Sequence, residues 1–307
     1  MSMNEGSREA SSMQRDELIA IIQTAGGKCG PLGYADALLE KINRLEAAGG
    51  YEALFAQLRP AKEQGDLRGR VLEVNFANLF VERGAQLKYG ARQGMPGDVD
   101  FCWGVNGYQV FIEMKLLGQD RQTKEDIRQQ LANPGCKTYG AIIPDDTFDL
   151  ARIQRDIFAK SSTKKFNPKP NQDWVNLVAI DVSELQLGTV DVADCILAAA
   201  GNEIASRYCH FTYLRPTVVG VFERDGKSIS AEQTAWVKCF HNALTAGEPH
   251  PRDYIHGVLF LFRDPAEQAA LSYRLIAAMV WNPALIDDAR AKTILEPLHK
   301  IVDPLTC

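Results

Sequence analysis

Apolar residues recur at helical spacing through the first eighty positions, and then the period changes. Leu18, Ile21 and Ile22, followed by Leu38, Leu39, Ile42 and Leu45, predict helices over residues 16–24 and 34–58. Ala48-Gly49-Gly50 breaks the second before Tyr51, and the glycines and proline of residues 25–33 predict a loop between them. A further helix is expected over 67–83, with Leu67, Val71, Val74, Asn78 and Val81 on one stripe and Leu72, Phe76, Leu79 and Phe80 on another. Two stripes imply a helix buried on most sides, and Gly84 supplies its stop. Glu73 sits in the middle of it.

Beyond Gly84 short apolar runs predict strands. Residues 85–90 form one, and 98–104 with 108–115 form a hairpin that turns at Gly104-Val105-Asn106-Gly107. Alternation then places Asp98 and Asp100 on one face, and Phe111, Glu113 and Lys115 on one face. Helices follow near 122–133 and 148–160, with a strand at 139–144 between them. Residues 161–172 are a loop, and 174–182 a buried strand. Further on, helices are expected at 189–206, 230–245 and 266–281, and strands at 217–222 and 254–262. Pro283, Pro297 and Pro304 punctuate the tail. The long helix at 266–281, with Leu271, Leu275, Ile276, Met279 and Val280, is either core or an interface.

Strands alternating with helices imply an α/β chain, with a central mixed sheet flanked by helices. The expected organisation is a helical leader at 1–60, a core at 61–182, and an α/β extension or second lobe at 183–307.

Composition narrows this little. The chain of 307 residues is 46% apolar and 24% charged, which is ordinary for globular proteins. A net charge of −5 does not advertise nucleic-acid binding, yet a local basic groove can lie on an acidic protein. The polar first sixteen residues lack the apolar core of a signal peptide, and no window approaches a membrane span. The seven scattered cysteines read as small buried residues of a reduced, cytoplasmic protein. The five histidines show no metal-ligand spacing, and no phosphate-binding glycine loop or serine-hydrolase elbow is present.

The candidate chemistry lies between residues 69 and 115, where acids and a lysine sit inside apolar segments. Charged side chains occupy such places when they are paired or bind a metal. Mg²⁺ takes oxygen ligands, usually one or two carboxylates plus waters. Asp100 and Glu113 offer those carboxylates from neighbouring strands, and the carbonyl of Met114 offers a backbone oxygen. Lys115 shares a face with Glu113, where it could orient water or stabilise charge on a phosphate. Glu73 could complete the shell. Lys164 and Lys165, with Phe166 and Trp174 nearby, form either a phosphate-binding loop or a solvated one. Lys124 and Arg128 follow the acids and could line a substrate groove.

The order of these groups resembles the PD-(D/E)xK, or restriction-endonuclease-like, nucleases. Their core is a helix carrying an acid, strands carrying an Asp and an (Asp/Glu)-x-Lys, and a further helix and strands. Glu73 matches the helix acid, and Glu113-Met114-Lys115 matches the tripeptide. Gly97-Asp98-Val99-Asp100-Phe101 fits the preceding strand with Asp100 as the ligand and Asp98 as a flanking acid. Gln130 loosely matches a glutamine that some members carry on the next helix. The resemblance covers roughly residues 66–182. It implies a restriction-endonuclease-like core, catalytic Glu73, Asp100, Glu113 and Lys115, and dependence on Mg²⁺ or Mn²⁺. It further implies cleavage of DNA, with RNA as the alternative, a role in restriction or anti-phage defence, and a homodimer or partner subunit. The competing expectation is a non-catalytic protein that keeps the fold to bind nucleic acid or a partner.

Overall fold

The computed structural model describes residues 13–25, 33–61, 64–118, 146–183, 185, 191–205, 220–222, 249–263 and 275–304. The chain divides into two compact units, one of residues 1–89 with 266–273, the other of 90–265 with 274–307.

The first unit contains four described helices. They are α1 (Arg15–Thr24), α2 (Tyr34–Ala48), α3 (Glu52–Leu58) and α4 (Gln64–Glu82). Gly49 and Gly50 break α2 from α3 with positive φ, as their position predicts. Helices α2 and α3 both pack on α4, whose Leu72, Val74, Phe76, Ala77 and Phe80 are buried. Gly84 ends α4 at φ 71°, while its own N–H reaches Val81 and that of Ala85 reaches Phe80. This pairing satisfies carbonyls that the last turn leaves open.

Seven strands form one mixed sheet in the order of the chain: β1 (Leu87–Ala91), β2 (Val99–Val105), β3 (Tyr108–Leu116), β4 (Trp174–Asp181), β5 (Gly257–Arg263), β6 (Leu275–Trp281) and β7 (Asp303–Pro304). β2 is antiparallel to β3, β3 to β5 are mutually parallel, β6 is antiparallel to β5, and β7 is parallel to β6. The hairpin turn is tighter than the four-residue reading. Only Asn106 (φ 47°) and Gly107 (φ 85°) leave the ladder, and Val105 pairs with Tyr108. Positive φ at both positions matches the twist of the flanking strands.

Helices α5 (Asp146–Lys160) and α6 (Val192–Ala205) pack on each other, α5 against β3 and β4 and α6 against β6. The layer between them and the sheet holds Phe111, Val178, Ile180, Val258 and Phe260 from the strands, with Leu150, Ile153, Ile157 and Leu197 from the helices. Gly201 kinks α6, and the carbonyl of Ala198 accepts instead from Gln154 Nε2 (3.0 Å) and Val221 N (3.3 Å).

The expected helix over 266–281 is corrected: residues 275–281 are strand β6, paired along its length with β5. An apolar run without alternation suits a buried strand as well as a buried helix, and the open edge of β5 decides between them. The expected strand at 217–222 is also corrected where it is described, since 220–222 is a turn. A helix absent from the sequence reading, α7 (Asp288–Leu298), follows β6. Its cap Asp287 accepts from Arg290 N at 2.8 Å. Pro297 sits inside it and cannot donate to Thr293, whose carbonyl accepts from Asn106 Nδ2 at 2.9 Å. The predicted helices at 122–133 and 230–245 and the strand at 139–144 lie outside the described residues. Among the described residues no helix is long and apolar enough to cross a membrane.

A buried polar cluster ties β4 to the segment before β5. Asn176 N donates to His256 Nδ1 (3.1 Å), Asn176 Nδ2 donates to Tyr254 O (3.0 Å), and Gln93 Nε2 donates to Asn176 Oδ1 (2.6 Å). Burial, reinforced by the Arg290 guanidinium, lowers the His256 imidazole to about 4. The folded protein therefore keeps His256 neutral while the unfolded chain protonates it near its ordinary value of 6.5. The associated stability is complete above pH 6.5 and is lost as pH falls towards 4, by about 3 kcal/mol. Denaturant unfolding across that window should show a shallower pH slope for His256→Gln than for the native chain, by close to one proton.

Candidate active site

The β2–β3 register runs up to Phe101 paired with Ile112, and Asp100 and Glu113 are the next residue on each strand. Alternation along the strands puts both residues on the face that carries Cys102 and Phe111, the side covered by α5. Asp100 Oδ2 accepts from Met114 N at 2.7 Å, which holds its carboxylate against β3. Asp98 is differently placed, paired with the exposed Arg92 outside the strand. Asp100, and not Asp98, is thus the aspartate set against Glu113.

Glu113 is 0% exposed, with Phe111 two residues before it on β3 and Val178 beside it on β4, both in the hydrophobic core. A carboxylate there needs counter-ions. Two are supplied: Lys160 Nζ and Lys165 Nζ each stand 2.6 Å from Glu113 Oε1. Lys160 ends α5, and Lys165 belongs to the loop that follows. That loop is stitched to the segment before β2 by Gly97 N to Lys164 O and Asn167 N to Gln93 Oε1, both 2.7 Å. Gly97 permits the approach, since a Cβ there would meet Lys164 O at 3.1 Å and Lys165 Cγ at 3.2 Å. Lys164 itself is exposed, whereas Lys165 turns inward.

The second oxygen, Glu113 Oε2, is buried and has no hydrogen-bond partner among the described residues. Carboxylate oxygens without donors are costly when buried, and such an atom fits a cation ligand. Among the described residues no group of three or more His, Cys, Asp or Glu side chains converges. Mg²⁺ does not require one, because it retains waters beside one or two carboxylates. Asp100 and Glu113 fit that demand. Lys115 lies two residues past Glu113 on the same face, partly exposed at the carboxyl end of β3.

Glu73 belongs to the first unit, the other three candidates to the second. It is 7% exposed and accepts from Arg70 Nη1 at 2.8 and 2.9 Å and from Tyr89 Oη at 3.0 Å. Lys124, Arg128 and Gln130 lie outside the described residues. Lys160 was not singled out by the sequence reading. At the end of a helix a lysine reads as a partner for the helix dipole, and only the fold brings it to Glu113.

Replacing both Lys160 and Lys165 by Met removes the two ammonium groups that pair with the buried Glu113. The double variant should lose about 3 kcal/mol of unfolding free energy at pH 7. Adding Glu113→Gln to it should recover most of that loss in the same denaturant titration, because the buried acid left without its partners is gone.

Against known protein families, curated proteins and solved structures, the chain has no match.

Proposed function

We propose that the chain is a divalent-cation-dependent nuclease of the PD-(D/E)xK kind, with DNA as its substrate. The observation that carries this reading is the buried Glu113 oxygen that has no hydrogen-bond partner among the described residues, with Asp100 next to the Phe101–Ile112 pair and Lys115 on the same strand face. The order of elements agrees with it: helix α4, the three strands β1 to β3, then α5 and the parallel strand β4.

The cation, Mg²⁺ or Mn²⁺, would be held by Asp100, Glu113 and the carbonyl of Met114, and would supply charge neutralisation at phosphate and an activated water. The protein's own part is positional. The Met114 N–H fixes Asp100, the sheet fixes Glu113, and Lys115 faces the phosphate, where its ammonium stabilises developing negative charge. Glu73 enters through its place in the chain order and through its burial. A role in restriction or anti-phage defence, and a dimer or partner subunit, go with this reading. Residues 275–281 are an internal strand, so they do not supply a helical dimer face.

Supercoiled plasmid and short single-stranded DNA and RNA should be incubated with Mg²⁺, Mn²⁺ or EDTA. Cutting should require the metal and fall roughly a hundredfold or more in Lys115→Ala and in Glu113→Gln, with both variants folded by circular dichroism. Nucleic acid bound equally well with chelator present, and never cut, would establish the non-catalytic alternative.

A further inference from the structure

The β2–β3 turn carries a chemically reactive pair. Asn106 alone among the asparagines of the chain is followed by glycine. Asn106 and Gly107 are both exposed, both have positive φ, and neither belongs to a strand. Asn-Gly suits such a turn for conformational reasons. The same pair is labile, because a glycine has no side chain to obstruct the attack of its nitrogen on the preceding side-chain amide. One contact opposes that attack: Asn106 Nδ2 donates to the Thr293 carbonyl of α7 at 2.9 Å. The nitrogen engaged there is the one that must depart. The Thr293 carbonyl is open to it because Pro297 has no N–H to give.

We propose that Asn106 is a site of spontaneous covalent modification, deamidated through Gly107 at a rate held down by α7. Gly107 N loses its proton to solvent base and attacks Asn106 Cγ. The Cγ–Nδ2 bond breaks, Nδ2 takes up a proton and leaves as ammonia, and a cyclic succinimide forms. Water then opens the ring. Attack at Cγ gives aspartate, and attack at the backbone carbonyl carbon of residue 106 gives isoaspartate. In sum an amide and a water become a carboxylic acid and ammonia, with no oxidant or reductant. Either product puts a carboxylate where a donor faced the Thr293 carbonyl, so the tie between the hairpin and α7 is lost. Isoaspartate also adds a methylene to the backbone inside the turn that sets the β2–β3 register. None of these steps depends on nuclease activity.

The full native chain, the same chain unfolded in guanidinium chloride, and Pro297→Ala should be held at mildly alkaline pH and sampled over weeks. Peptide maps by liquid chromatography and mass spectrometry read each asparagine for exchange of NH2 by OH, and they separate aspartate from isoaspartate. Asn106 should be the first asparagine modified in the native chain, and should give both forms. Unfolding should speed its reaction about fivefold or more, the fold-change that one hydrogen bond of ordinary worth represents. Pro297→Ala returns a helical N–H to the Thr293 carbonyl, where it competes with Asn106. The rate in that variant, folded by circular dichroism, should rise several-fold. An Asn106 that stays intact in the native chain while another asparagine reacts overturns the proposal. So does a rate that is equal in the native and unfolded chains, or one that Pro297→Ala leaves unmoved.

Discussion

A carboxylate buried in the apolar layer between a sheet and its covering helices constrains everything near it. Glu113 has Phe111 two residues before it on β3 and Val178 beside it on β4, both in the hydrophobic core. Its charge can be kept there only if cations are delivered to it. That demand links the end of α5, the loop at 161–167 and the segment before β2 into one arrangement. Gly97 is small enough to let the two loops touch, the loop contact fixes Lys165, and the end of α5 delivers Lys160.

The hairpin is the second half of the same device. Asn106 and Gly107 take positive φ, so the turn is two residues long and the register is locked. A slip of one residue would send Glu113 to the opposite face and separate it from Asp100. Asn106 does a further job, since its amide donates to the Thr293 carbonyl that Pro297 cannot serve. The turn that sets the site's register thereby also completes α7. The kink at Gly201 follows the same accounting, with Gln154 and Val221 meeting the carbonyl of Ala198. In both places a carbonyl lost to its own helix accepts from another element.

This arrangement bears on how the proposed chemistry is tuned. A buried acid surrounded by lysines is neither a bare metal site nor a plain structural ion pair. It has one oxygen committed to ammoniums and one oxygen without a donor among the described residues.

Local pattern alone determined the helices of the first unit, the β2–β3 hairpin, α5 and β4, because each carries its own period, breaker or turn residues. It also singled out Asp100, Glu113 and Lys115, since charges inside apolar strands stand out in a linear chain. Other features were decided by the tertiary structure. Leu275–Trp281 reads as helix or strand alike, and the free edge of β5 makes it a strand. Helix α7 was obscured by Pro297, whose missing donation to Thr293 is replaced by one from Asn106, distant in sequence. Lys160 and Lys165 join the site for the same reason. Ion pairing depends on distance in space, and the 47 and 52 residues that separate these lysines from Glu113 are closed only by the packing of α5 and its loop on the sheet.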